Sequence, residues 1–175
     1  ASLMRVPRKL NKLLKMVVSG SRVPVTVKIR SGWDDSNINA RDVALAAQDA
    51  GINALFIHGR TRMQEYGGHV DYDIIRKVKK SLSIPVIASG DVFSGELAKK
   101  MFTESGCDGI IVARGALGNP WIFSEIKAAL KNKEFKRPAD ARIIDCIFEH
   151  LDSCIKFYGE KGGVVIFRKF FAWYT

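Results

Sequence analysis

Basic and turn-forming residues recur where four apolar segments of this sequence end. The segments are VPVTVKIR, NALFIHGR, IPVIASGD and DGIIVARG, and their last residues include Lys28, His58, Asp91 and Arg114. An ammonium group and an imidazole can stabilise an electron-rich ring. A turn of serine, glycine and aspartate presents backbone N–H groups that bind anions. These residue types therefore predict a site for a phosphorylated, ring-containing ligand.

The elements that would position these residues alternate regularly between strands and helices. Apolar, β-branched runs predict strands, and three-and-four spacing of apolar residues predicts helices with one buried face. This β/α period of roughly 25–30 residues predicts a parallel sheet, whose strand ends form the ligand side. The predicted strands cover residues 23–30, 53–60, 84–91 and 108–115, and the predicted helices cover 3–18, 40–51, 71–81, 94–106 and 120–130.

Alternation within the first strand gives Lys28 a direction. Thr26, Lys28 and Arg30 share one face of an extended chain, and the valines and isoleucine between them share the other. If the aliphatic face packs on helices, Lys28 points the other way, into the mouth of a barrel that such a sheet could form. There an anion or electron-rich ligand would offset the desolvation of its ammonium group. The alternative is an ion pair with a carboxylate such as Asp91.

The second strand ends in His58, which two arginines follow closely. Arg60 and Arg62 raise the expectation of a site for an anion or a polar ring, although a lone histidine is usually structural. His69 lies in a loop and His150 in the helical tail, and neither is expected to act in the chemistry.

Two glycine-containing turns, at residues 89–91 and 113–115, complete the predicted site. Both follow strands, and phosphate sites in eight-fold β/α barrels recur at the last two such loops. The sequence has neither a GxGxxG nor a Walker motif, which argues against a Rossmann or P-loop site.

Composition narrows the function classes. A net charge of +10 favours an anionic partner, with a merely basic protein as the alternative. The three cysteines, Cys107, Cys146 and Cys154, lack the spacing of a disulfide framework or a zinc site, which predicts a cytoplasmic location and no metal. No apolar run reaches the roughly 18–20 residues that span a membrane.

The regular alternation of predicted strands and helices ends near residue 135. A charged segment with Pro138 predicts a linker, and the following residues predict helices interrupted at EKGGVV. The sequence therefore predicts a β/α domain over 1–135 and the beginning of a helical domain over 136–175.

Four blocks, in this order and spacing, resemble the tRNA-dihydrouridine synthase family, most closely its bacterial B-type branch. The blocks are VPVTVKIRSGWDD, FIHGRTRMQEYGG, PVIASGDV and ARGALGNPWIF. The resemblance implies an FMN-binding (β/α)8 barrel followed by a helical tRNA-binding domain. It also implies reduction of the uracil 5,6 double bond in tRNA with NADPH.

The same resemblance implies roles for individual residues. Lys28 and His58 would contact the flavin ring, and Arg60 and Arg62 would grip the tRNA or its target uridine. Two further groups would hold the FMN phosphate and ribityl chain, although Ser89 and Ala113 depart from the family's usual Asn and Gly; these groups are Ser89, Gly90, Asp91, Ala113 and Arg114. Phe170 stands where the family often has histidine.

In that family, four further strands precede this point, with an Asn-x-Gly-Cys-Pro loop whose cysteine protonates uracil C5. The resemblance implies that this sequence corresponds to the second half of the barrel, contains no catalytic residue and is inactive alone. Half a barrel would expose sheet edges, which predicts self-association. Two alternatives remain: another FMN-dependent barrel oxidoreductase, or a non-catalytic RNA-binding or assembly fragment.

Overall fold

The computed structural model describes residues 2–174, whose centre is a four-stranded parallel sheet. The strands are β1 (Thr26–Arg30), β2 (Ala54–His58), β3 (Val86–Ser89) and β4 (Gly109–Ile111). The helices are α1 (Pro7–Gly20), α2 (Ala40–Asp49), α3 (Tyr72–Ser81), α4 (Gly95–Ser105), α5 (Ile122–Leu130), α6 (Asp140–Tyr158) and α7 (Glu160–Phe171), with short 3-10 turns at Ser2–Arg5 and Arg114–Ala116.

The strands pair in sequential order, β1-β2-β3-β4. Right-handed crossovers without a reversal of strand order put the connecting helices on one face, as in a barrel rather than a doubly wound sheet. The predicted fold class is confirmed: four β/α units in parallel order, followed by helices.

The two faces of the sheet differ in burial. The helix-covered face is the core, and Leu55, Ile57, Val86 and Ala88 are all 0% exposed. The other face carries the exposed Lys28 and the half-buried Phe56 and Ile87 in one row across the strands. This face is the one that would line a barrel.

The first helix begins later than the sequence predicts. Residues 3–18 were expected to form one helix, but a 3-10 turn ends at Arg5 and α1 starts at Pro7. A residue before proline is disfavoured in the helical region, and Val6 is non-helical at φ −135° and ψ 78°. Proline in the first turn then loses no hydrogen bond that the helix needs.

The chain divides into two compact units, each described by itself. The first contains residues 1–92 and 97–112, and the second contains 93–96 and 113–175. This division differs from the boundary predicted at residue 135, since α5 groups with the tail. Glu125 of α5 accepts a 2.6 Å hydrogen bond from the backbone N–H of Gly95. In the described part of the chain, no helix is long and apolar enough to cross a membrane.

The helical tail breaks at Gly159 rather than at EKGGVV, where the sequence predicted the interruption. Gly159 has φ +76° and ψ 163°, a conformation that favours glycine, and EKGGVV lies within α7. The glycine pair has a packing role instead. A Cβ built on Gly163 would lie 2.5 Å from Cα of Ile155, so α6 and α7 approach each other here backbone to backbone.

Gly163→Ala is expected to lower the free energy of unfolding by about 1–3 kcal/mol because the added methyl group forces the two helices apart. Gly162→Ala is the matched control in the same helix. Its added Cβ would meet nothing closer than 3.4 Å, so helix propensity should leave it neutral or stabilised by up to about 1 kcal/mol. Denaturant unfolding measures both, and equal effects of the two substitutions would contradict the close approach.

Candidate flavin-binding rim

The carboxyl ends of β1, β2 and β3 bring polar side chains into one row. Arg30, His58 and Ser89 are partners across the sheet, so all three share a face. Lys28 lies two residues before Arg30 and points to that same face. The structure therefore brings Lys28, His58 and Ser89 together at one rim, as the strand-end pattern predicted.

Lys28 offers a cation on the open face of the sheet. Partial desolvation lowers its pKa, and the positive charge of Arg30 lowers it further. Within residues 2–174, Lys28 forms no ion pair, and Asp91 pairs with Arg60 instead. The alternative interpretation, in which Asp91 neutralises Lys28, does not describe this arrangement.

His58 is a buried and neutral histidine. Burial lowers its pKa to about 4, and the positive charges of Arg30, Lys28 and Arg60 act in the same direction. Its Nε2 atom is buried without a hydrogen-bond partner among the described residues. Leaving such an atom unsatisfied costs about 1–3 kcal/mol, which indicates a partner other than the described residues.

The low pKa of His58 predicts a pH dependence of stability. An unfolded chain binds a proton on this imidazole below about pH 6.5, but the folded chain does so only near pH 4. The stability that neutral His58 contributes to the folded chain is therefore fully present above pH 6.5 and is lost as the pH falls toward 4. His58→Gln should remove this part of the acid sensitivity. Denaturant unfolding of both proteins at several pH values measures it, and parallel curves between pH 6.5 and 4 would refute it.

The turn after β3 has a backbone that few side chains tolerate. Gly90 has φ +133° and Asp91 has φ +48°. A Cβ on Gly90 would lie 2.6 Å from Cγ2 of Val70 and 3.2 Å from Cδ2 of His58. The Ser89 hydroxyl donates to the carbonyl oxygen of Ile57 at 3.2 Å, which leaves its oxygen able to accept. The turn thus holds its backbone close to His58.

Arg60 holds the loops around this rim in place. It is 1% exposed, and it donates to the carbonyl oxygens of Gly67 at 2.9 Å and Gly68 at 2.5 Å and pairs with Asp91. One guanidinium therefore joins the loop after β2 to the turn after β3. The bonds of Arg60 to Gly67, Gly68 and Asp91 form what we call the Arg60 clamp. The guanidinium is enclosed by its own loops, and its Nη1 is buried without a partner among the described residues, so the direct grip on tRNA expected for Arg60 stays a prediction.

Arg62 lies on the surface two residues further along the chain than Arg60. Nearly half of its side chain is exposed, and it pairs with Glu65 at 3.0 Å. Arg30, which the sequence placed on the right face but did not assign to the site, donates to the carbonyl oxygens of Thr61 at 2.7 Å and Glu65 at 3.1 Å. Arg30 and Arg60 thus position the loop that carries Arg62.

Ala113 and Arg114 belong to the second compact unit. Ala113 precedes the 3-10 turn Arg114–Ala116, so the predicted fourth strand is shorter than expected and its glycine-containing end is a turn. The guanidinium of Arg114 lies 5.3 Å from the ring centroid of Phe93. Among the described residues, no group of three or more His, Cys, Asp or Glu side chains is arranged to hold a metal ion.

The profile of the dihydrouridine synthase family matches residues 1–175, the whole sequence. The chain belongs to the dihydrouridine synthase family. Its relatives include probable tRNA-dihydrouridine synthases of Rickettsia conorii (43% identity over all of this chain and 53% of the relative) and Rhodobacter capsulatus (41%, all of this chain and 54% of the relative). tRNA-dihydrouridine synthase B of Pseudomonas putida is 43% identical over 99% of this chain and 52% of the relative.

Membership of the dihydrouridine synthase family confirms the resemblance inferred from the four sequence blocks. The chain spans about half the length of the curated relatives it matches. Among solved structures, a mutant mandelate oxidase with benzaldehyde is 16% identical, with a TM-score of 0.41 over 69% of this chain and 50% of that chain.

Proposed function

We propose that this chain is part of a tRNA-dihydrouridine synthase, which reduces the uracil 5,6 double bond in tRNA with FMN as its flavin and NADPH as the reductant. The observation that carries the proposal is the family match over the whole sequence, with relatives named for that activity. It favours this function over that of another FMN-dependent barrel oxidoreductase.

The residues of the rim fit a flavin. His58 Nε2 is buried without a partner among the described residues, and Lys28, which forms no ion pair within residues 2–174, presents a cation on the same face of the sheet. The bare backbone at Gly90 leaves no room for a side chain beside His58. A planar, electron-rich ring with hydrogen-bonding edges satisfies both groups, and a phosphate suits the turn.

FMN, when bound, supplies hydride transfer. Lys28 would stabilise negative charge on the bound ring by a preorganised electrostatic interaction. His58, uncharged at neutral pH, would offer Nε2 to the ring without adding a second positive charge. Ser89, Gly90 and Asp91 shape the phosphate turn, and the resemblance rather than the geometry assigns Ala113 and Arg114 to the same phosphate.

Arg60 and Arg62 take different roles in this proposal. Arg60 is a positioning residue, because its bonds hold the two loops that frame His58. Arg62 is exposed and offers its charge to a phosphate of the tRNA. The net charge of +10 supports an RNA substrate, which would place the reaction in the cytoplasm.

Two binding measurements on this protein test the proposal against the RNA-binding alternative. We expect FMN fluorescence to be quenched on titration with the protein, and tRNA binding to weaken steeply as salt increases. Gly90→Ala should abolish FMN quenching while leaving the salt dependence of tRNA binding intact, since the methyl group would clash with Val70 and His58 and displace the turn. Binding of tRNA without any binding of FMN would favour a non-catalytic RNA-binding protein and refute the proposal.

A further inference from the structure

A small cavity outside the rim is lined by Met4, Arg5, Trp33, Asn37 and Asn39. We call it the Trp33 cavity. Its volume is about 220 Å³, below the roughly 300 Å³ at which pockets for drug-sized ligands begin. It therefore suits one small ring system rather than a whole cofactor.

Asn39 supplies the most informative atom of the Trp33 cavity. It lies at the N-cap of α2, where an asparagine oxygen usually accepts a helix N–H, yet its side chain makes no capping bond. Its Nδ2 instead donates to the carbonyl oxygen of Met4 at 2.8 Å, and its Oδ1 is buried without a partner among residues 2–174. A buried acceptor without a partner, on a residue that lines the cavity, indicates a ligand that donates a hydrogen bond once the amide turns toward it.

Two flat groups line the same cavity as Asn39. The Arg5 guanidinium lies 5.3 Å from the ring centroid of Trp33, in cation–π contact. Both groups line the Trp33 cavity, and no carboxylate does. The lining therefore disfavours a cationic ligand and favours a planar, neutral or anionic one.

Hydrogen bonds hold the loop that carries Trp33 and Asn37. The Trp33 N–H donates to the Asn37 carbonyl oxygen at 3.1 Å, and the Trp33 carbonyl accepts from the N–H of Met63 at 2.9 Å. Asp34 fixes the loop from inside, since its Oδ1 accepts from Nδ2 of Asn37 at 2.7 Å. Preorganisation of this kind reduces the entropy cost of binding.

We propose that the Trp33 cavity binds a nucleobase, with the base stacked on Arg5 or Trp33 and one of its N–H groups donated to Asn39 Oδ1. Stacking on aromatic or guanidinium planes with hydrogen bonding at the base edge is the common mode of recognition of unpaired RNA bases. In tRNA, and resting on the function proposed above, this is a second base-binding position besides the uridine that is reduced. Its occupant is an unpaired base of the same RNA strand.

Tryptophan fluorescence isolates the Trp33 cavity. The sequence has three tryptophans, so Trp121→Phe with Trp173→Phe leaves Trp33 as the only reporter. We expect single-stranded RNA oligonucleotides to quench this signal. The dissociation constant should rise about tenfold in Arg5→Gln and in Asn39→Ala, as stacking and hydrogen-bond losses of this kind predict.

Two controls match these variants. Asn11→Ala also removes an amide that links α1 to α2, since Asn11 Nδ2 donates to the Ala46 carbonyl oxygen at 2.7 Å, but it leaves the Trp33 cavity untouched. Arg8→Gln removes an equal charge from the exposed surface of α1. In both control variants, RNA oligonucleotides should quench Trp33 fluorescence as strongly as they do in the protein that keeps only Trp33.

Unchanged quenching in the Arg5 and Asn39 variants, or quenching by AMP or NADPH but not by oligonucleotides, would overturn the inference. Binding of tRNA and FMN by the parent protein is measured separately. If both bind while Trp33 does not respond to oligonucleotides, this inference fails and the proposed function stands. If oligonucleotides quench Trp33 as predicted but FMN does not bind, the nucleobase site stands and the proposed function fails.

Discussion

Arg60→Met is expected to lower the free energy of unfolding by about 3 kcal/mol, the largest effect on stability predicted for this protein. Methionine keeps much of the volume, so the loss reports on charge and hydrogen bonds. It leaves the carbonyl oxygens of Gly67 and Gly68 without their donors and Asp91 without its guanidinium. Denaturant unfolding measures the change.

Arg62→Met is the matched control for this substitution. It removes an arginine two residues away whose ion pair with Glu65 is exposed, and such pairs contribute about 0–1 kcal/mol. Arg60→Lys should not rescue stability, because an ammonium cannot reproduce the planar fork of donors that joins two loops. If Arg60→Met and Arg62→Met lowered the free energy of unfolding equally, Arg60 would not hold the two loops together.

Lys28→Gln is expected to weaken FMN binding about 10- to 100-fold, the largest effect on ligand affinity. Hydrogen bonds to a charged group contribute about 1.5–3 kcal/mol, and each 1.4 kcal/mol is a factor of ten in affinity. Stability should change by less than about 0.5 kcal/mol, since Lys28 is exposed and forms no ion pair among the described residues. Titration of flavin fluorescence and denaturant unfolding measure the two quantities.

Lys9→Gln provides the control for charge in that titration. Lys9 is exposed on α1, so it changes the net charge equally without altering the rim. If Lys28→Gln and Lys9→Gln weaken FMN binding to the same small extent, only the overall charge matters. Lys28 would then have no specific contact with the flavin.

The sequence predicts the position of Lys28 and His58 because their signals are local. Alternation within TVKIR fixes the face of Lys28, and the end of an apolar run fixes the rim position of His58. The role of Arg60 has no local signal. Its three partners lie seven, eight and 31 positions away in the sequence, and two of them are backbone carbonyls.

The helical tail shows the same limit. The spacing of apolar residues predicts its helices, but two glycines in EKGGVV indicate a break equally well as a close helix contact. Only the approach of Ile155 to Gly163 decides between these interpretations, and it depends on how α6 and α7 pack. The orphaned acceptor of Asn39 is likewise invisible in the sequence, since asparagine before a helix normally predicts a cap.

In the proposed function, Lys28 and His58 meet one flavin at the rim of the sheet, and NMR of isotope-labelled histidine tests this contact most directly. The chain has three histidines, and His58→Gln assigns the resonance of interest. On addition of FMN, we expect the His58 Nε2 signal to change while those of His69 and His150 stay in place. If saturating FMN left the His58 signal unmoved, His58 would not contact the flavin.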